Sequence, residues 1–138
     1  LTLAEKHELP VIVHSRKAMQ DTYDILKKHN VAGSMHSYQG SGEMAEEFIK
    51  LGFYIGVGGT VTHKNNKKIR KMLNKIGIGH VLLETDSPYL APEEKIGEMN
   101  TPLNIKYVIR KIAEELNIEE SEVIGITAEN AKRLFEIT

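Results

Sequence analysis

Short apolar runs alternate along the chain with stretches of helical period. "PVIVH" (residues 10–14) precedes "SRKAMQDTYDILKKHN", where Ala18, Met19, Thr22, Ile25 and Leu26 make one stripe. "VAGSMH" (residues 31–36) leads through the turn-like "SYQGSG" to a helix over about 43–51, with Met44, Ala45, Phe48 and Ile49 inward. "FYIGVGG" (residues 53–59) precedes a helix over about 66–75 that buries Ile69, Met72, Leu73 and Ile76. The fourth run, "HVLLETD" (residues 80–86), ends in a loop carrying Pro88, Pro92 and Pro102. "LNIKYVIRKIAEELN" then reads as a strong helix, with Ile105, Val108, Ile109, Ile112, Ala113 and Leu116 on one face. Asn117 with Glu120 resembles a capping box for a short helix, and Thr127 reads as the cap of a last one. The opening "LTLAEKHELP" reads as the tail of a helix, so residues are expected upstream.

Strands that alternate with helices predict a parallel sheet built by right-handed crossovers. The strands lack polar alternation, as strands covered on both faces do. The 138 residues make one domain of ordinary size, and a net charge of −1 announces no global basic field. No cysteine is present, which removes disulfides and thiolate ligands and fits a reducing, cytoplasmic interior. No apolar run approaches a membrane span, so no membrane partner is expected.

Candidate chemistry lies at the strand ends. "PVIVH" ends in His14, "GSMH" in His36 and "VLLETD" in Asp86. In a parallel sheet these tips emerge on one side, and in a barrel that side carries the active site. Imidazole and carboxylate are the usual ligands of a catalytic divalent ion. A single His after a strand more often ends in a hydrogen bond, and Asp86-Ser87-Pro88 also suits a turn. Coincidence across three strands is what carries the metal reading. Glu84, two residues before Asp86, points the same way if the strand continues. It would orient a ligand or handle a proton, the alternative being an ion pair with a neighbouring Lys or Arg. Gly56, Gly58 and Gly59 leave room at the site or mark a bend, and their spacing is not that of a phosphate loop. Arg16, His63 and Lys64 follow strand ends and are candidates to meet an anionic substrate. Lys67, Lys68, Arg70 and Lys71 read as the solvated face of a helix.

Four stretches in order, "LPVIVHSRKAMQD", "HSYQGSGEMAEEFIKLGFYIGVGGTVTHKN", "VLLETDSPYLAP" and "TAENAKRLF", resemble the TatD-type metal-dependent deoxyribonucleases. These are amidohydrolase-like TIM-barrel hydrolases, and the resemblance covers essentially the whole chain. It implies an α/β fold, the C-terminal half of a (β/α)8 TIM barrel (strands five to eight with their helices), with residues 1–138 as one partial domain. It implies metal ligation by His14, His36 and Asp86, and catalytic roles for Asp86 and Glu84. It further implies one or two divalent ions, Mg or Zn, and hydrolysis of phosphodiester bonds in DNA by metal-activated water. The family's upstream ligands, a His-x-His on the first strand and a Glu on the fourth, have no counterpart here. Where the family often carries Arg-Gly after "APxP", this chain has Ile96-Gly97, leaving that role vacant or shifted to Lys95.

A complete barrel of this type runs to ~250 residues, so this chain corresponds to about half. Four strands cannot close a barrel, and their edges would stay unpaired. The expected partners are therefore DNA and either the missing N-terminal half-barrel or a second copy. Two other readings remain: an amide- or acyl-bond hydrolase of the same superfamily, and an inactive half-barrel with an incomplete site.

Overall fold

A computed structural model describes residues 1–138. Ten regular elements follow the predicted order: α1 (Thr2–His7), β1 (Val11–His14), α2 (Met19–Leu26), β2 (Gly33–His36), α3 (Gly42–Lys50), β3 (Phe53–Val57), α4 (Lys67–Ile76), β4 (Val81–Leu83), α5 (Ile105–Leu116) and α6 (Glu120–Phe135). The four strands form one parallel sheet in the order β1-β2-β3-β4. No helix is long and apolar enough to cross a membrane.

Strand alternation separates two faces. Met35, Phe53, Ile55, Val57 and Val81 turn to the helices, where they join one cluster of 18 buried residues. Leu26, Phe48, Ile69, Met72, Ile112 and Val123 bring α2 through α6 to it. On the opposite face Ile12, Ser34 and Tyr54 align across the register. Ile12 is 66% exposed there. Leu134, near the end of α6, packs on Tyr54 and Leu82. β1 is therefore covered on one side alone, unlike the doubly covered strands that the apolar runs predict.

Local differences have local causes. In α2 the inward stripe is Met19, Tyr23 and Leu26, spaced i, i+4, i+7, while Ile25 is 53% exposed. Residues 120–135 form one helix rather than two. Asn117 is the left-handed C-cap of α5, not part of a capping box. Thr127 caps nothing. Its hydroxyl donates to the carbonyl of Val123 at 2.8 Å, one turn back inside the helix. Val123, Thr127, Asn130 and Leu134 are all buried and form a continuous stripe, so packing outweighs the local capping signal.

Asn130 joins that helix to the sheet. It is 3% exposed, and its side-chain amide donates to the carbonyls of Ile78 at 3.3 Å and Val81 at 2.9 Å. Asn130→Ala takes the donor from the buried Val81 carbonyl, while Ile78 O keeps the Val81 amide at 3.1 Å, and is expected to cost ~1–3 kcal/mol. The urea midpoint should fall with an unchanged slope.

Candidate active site

The register pairs His14 directly with His36 at the C-terminal ends of β1 and β2. Their ring centroids lie 6.2 Å apart. β4 stops at Leu83, so Glu84 and Asp86 lie beyond the strand. The Glu84 amide makes one more ladder bond, to Val57 O at 3.1 Å. Asp86 then takes a left-handed conformation, φ 54°, which Asp tolerates better than most residues. That turn corrects the expectation that the two carboxylates point the same way: they meet opposite edges of the His36 ring. Glu84 Oε2 lies 3.0 Å from Nδ1, and Asp86 Oδ1 lies 3.2 Å from Nε2.

The second oxygen of Glu84 accepts the Ser37 amide at 2.5 Å. Room for this carboxylate comes from Gly56. A Cβ there would lie 2.6 Å from Glu84 Oε2 and 2.9 Å from Met35 O. Gly56→Ala is thus expected to push Glu84 off His36 and to cost ~1–3 kcal/mol in strain. Nitrogen-15 shifts of the His36 ring and a urea titration would read both effects.

Burial pushes the Glu84 carboxyl up, while His36 and the Ser37 amide draw it down. For His36 burial opposes the charge, yet Glu84 and then Asp86 outweigh it and hold the imidazole above its ordinary value. We place the proton on His36. Its ring stands between two carboxylates, and Glu84 already accepts a short bond from a backbone amide, which favours the ionised acid.

The arrangement also decides how these residues would treat a cation. The imidazole separates Glu84 from Asp86, and no three His, Asp or Glu side chains converge into a ready cation cage. His36 and Asp86 face each other across the space a cation would share, with His14 one ring away. Glu84 sits behind His36, where an acceptor on Nδ1 would leave Nε2 as the ligating atom toward the cleft once an ion displaces its proton. The donor set is hard and borderline, nitrogen and oxygen without sulfur, and it suits a divalent ion. In that arrangement Glu84 would orient His36 rather than ligate the ion itself.

A cleft of about 730 Å³ opens over this group, lined by His14, His36, Asp86, Arg16, Lys68 and Tyr89 among others. Four of its lining residues, Lys17, Ser37, Asp86 and Leu90, have φ between 46° and 56°. Left-handed backbone at non-glycine residues concentrates where structure is held for function.

Not every sequence candidate reaches the cleft. Arg16 lines it. His63 and Lys64 line a separate hollow with Glu93 and Ile96. His63 Nε2 is also engaged with the Ala91 carbonyl at 2.9 Å. The structure thus separates both from the strand-tip group, because the Gly59–Thr62 turn after β3 carries the chain aside. Lys95 is paired with Glu98 at 3.2 Å. Arg70 is no solvated cation. It donates to the carbonyls of Val61, His63 and Lys64 and pairs with Glu115 at 3.3 Å.

Two contributors carry no sequence signal. Lys68 sits in a run of lysines, and its place on the cleft follows from how α4 docks. Asn100, within "EMNTP", is 3% exposed and holds the loop that carries Asp86. Its side-chain amide donates to Thr85 O at 2.6 Å and Tyr89 O at 2.7 Å, and its backbone amide to Pro88 O at 3.1 Å.

Parallel strands that gather imidazoles and a carboxylate at their C-terminal ends have the architecture of a (β/α)-barrel active-site face. Residues 1–136 match the family model described as TatD related DNase, and the chain belongs to that family. The chain is 43% identical over 140 residues to YabD of Bacillus subtilis, named an uncharacterized metal-dependent hydrolase, covering 99% of this chain and 55% of that protein. The crystal structure of YjjV, a TatD homolog from Escherichia coli K12, matches with a TM-score of 0.94 at 33% identity, covering 99% and 54%. A TatD-family hydrolase structure from Entamoeba histolytica shares the fold, with a TM-score of 0.85 at 21% identity over 99% and 54%. The chain spans about half the length of these relatives.

Proposed function

We propose that this chain forms the C-terminal half of a (β/α)8 barrel and one side of a metal-dependent active site that hydrolyses phosphodiester bonds in DNA. One observation carries the reading. The His36 ring is held by Glu84 at 3.0 Å on one edge and presents its other nitrogen to Asp86 at the mouth of a cleft. His14, His36 and Asp86 would hold the ion. A divalent ion in such a site lowers the pKa of a water and neutralises phosphoryl charge. The chain's own contribution is to fix ligand orientation through Glu84 and to bring cations to the substrate side. Arg16 and Lys68 on the cleft favour an anionic substrate over a neutral amide. The span of about half of each relative, the open β1 edge and exposed Ile12 support a second half-barrel as partner.

The test begins with EDTA-dialysed protein. A single-stranded oligodeoxynucleotide, an amide and an ester are each offered with Mg²⁺, Mn²⁺ or Zn²⁺ restored. Cleavage of the oligonucleotide alone, dependent on added metal, is the expected result. Cleavage of the amide or ester instead supports the acyl hydrolase reading and overturns this one. No turnover of any substrate supports an incomplete half-site.

A further inference from the structure

The cleft's charge differs from that of the chain. Net charge overall is −1. Arg16, Lys17 and Lys68 line the cleft, and Asp86 is the one acidic residue that does so. None of the three cations takes part in an ion pair, although Lys27, Lys50, Lys75, Lys111 and Lys132 all do. They stand exposed and uncommitted around the metal-ligand candidates.

Tyr89 occupies the same rim and is equally uncommitted. Of the five tyrosines, Tyr38 and Tyr54 are buried, and Tyr23 and Tyr107 each lie under a cation. Tyr89 is 71% exposed and has neither aromatic nor cationic partner. Its backbone is nonetheless fixed at both polar groups. The amide donates to Asp86 O at 2.9 Å, and the carbonyl accepts from Asn100 at 2.7 Å. A ring on a tethered backbone, beside Asp86, is a platform that loses little entropy when a flat group stacks on it.

Resting on the phosphodiesterase reading, we propose that Lys68 and Arg16 position the phosphates of a single-stranded nucleic acid in this cleft, and that Tyr89 stacks the base next to the reacting phosphate. Unpaired cations that track a backbone and an exposed aromatic that accepts any base are how single strands are held without sequence preference. Tyr89 and Lys68 are positioning residues here, neither touching the reacting atoms.

Binding is measured by fluorescence anisotropy in EDTA, with a labelled oligo(dT) and an abasic oligomer of equal phosphate number. Tyr89→Ala is expected to weaken oligo(dT) about tenfold and the abasic oligomer not at all, with Tyr89→Phe restoring affinity. Lys68→Ala should weaken both oligomers alike and reduce the slope of log affinity against log salt by about 0.7. Unchanged oligo(dT) affinity in Tyr89→Ala, or equal loss on both oligomers, overturns the stacking role. An unchanged salt slope in Lys68→Ala overturns the phosphate role. Because binding is read without metal, it stays distinct from the reading beneath it, which fails if the amide or ester, and not the bound oligonucleotide, is cleaved when metal is restored.

Discussion

Asp86→Asn is expected to lower metal-dependent phosphodiester cleavage by about 10²–10³-fold without loss of the fold. Asn tolerates the left-handed conformation as well as Asp does, so φ 54° at this position is no obstacle. The side chain is 32% exposed, and its one ion-pair contact is His36 Nε2 at 3.2 Å. No core packing is removed, and urea unfolding should shift by no more than about 0.5 kcal/mol. The lost quantity is a negative charge facing the space between His36 and the cleft. A neutral amide is a poorer ligand and cannot balance a divalent ion in a half-buried site. Calorimetric titration with Mn²⁺ and steady-state kinetics would read affinity and turnover separately. Full turnover in the variant would remove Asp86 from the site.

The largest effect on stability is expected from Phe48→Ala, at ~3–5 kcal/mol. Phe48 is fully buried in α3, and its ring meets Tyr23 at 5.8 Å, Tyr38 at 6.3 Å and Phe53 at 6.4 Å between centroids. Its removal leaves a cavity bounded by α2, β3 and the turn after β2, with three aromatic neighbours that cannot all collapse into it. Whole domains are stable by only ~5–15 kcal/mol, so the variant approaches unfolding at ambient temperature. The consequence reaches the site as well, because Tyr38 lies two residues beyond His36 and packs on the same ring. Urea titration followed by circular dichroism gives the loss. A midpoint shift equivalent to less than 1 kcal/mol would show that the aromatic cluster repacks. Leu3→Ala is the control: at 73% exposure it should be near neutral.

The metal-ligand candidates were legible to different degrees. His14 and His36 end apolar runs, and parallel strands leave a sheet on one side, so their common side follows from strand polarity, while their adjacency follows from the pairing of β1 with β2. Glu84 and Asp86 were legible as a pair but not in their arrangement. Their separation around the His36 ring depends on where β4 stops and on the turn at Asp86, which the distant Asn100 holds through Thr85 O and Tyr89 O. His63 and Lys64 follow a strand as His14 does, yet the turn after β3 moves them to another hollow. Spacing after a strand carries no information about such a turn.

From the sequence alone came the periodicities, because burying one face of a helix or both faces of a strand constrains residue type at every position. The order of elements and the parallel sheet follow from those periodicities and from the handedness of crossovers. Tertiary structure alone decided which of several chemically equal residues face the cleft. Lys68 and Arg70 lie two residues apart on one helix, and docking of α4 sends one to the cleft and the other into a web of carbonyls. Thr127 reads as a cap by local rules and becomes a buried helix residue, because the stripe from Val123 to Leu134 gains more by packing than a helix end would. Local preferences are worth tenths of a kcal/mol to about one per residue, and burial of a side chain ~1.5–3, so contacts between distant elements prevail wherever the two disagree.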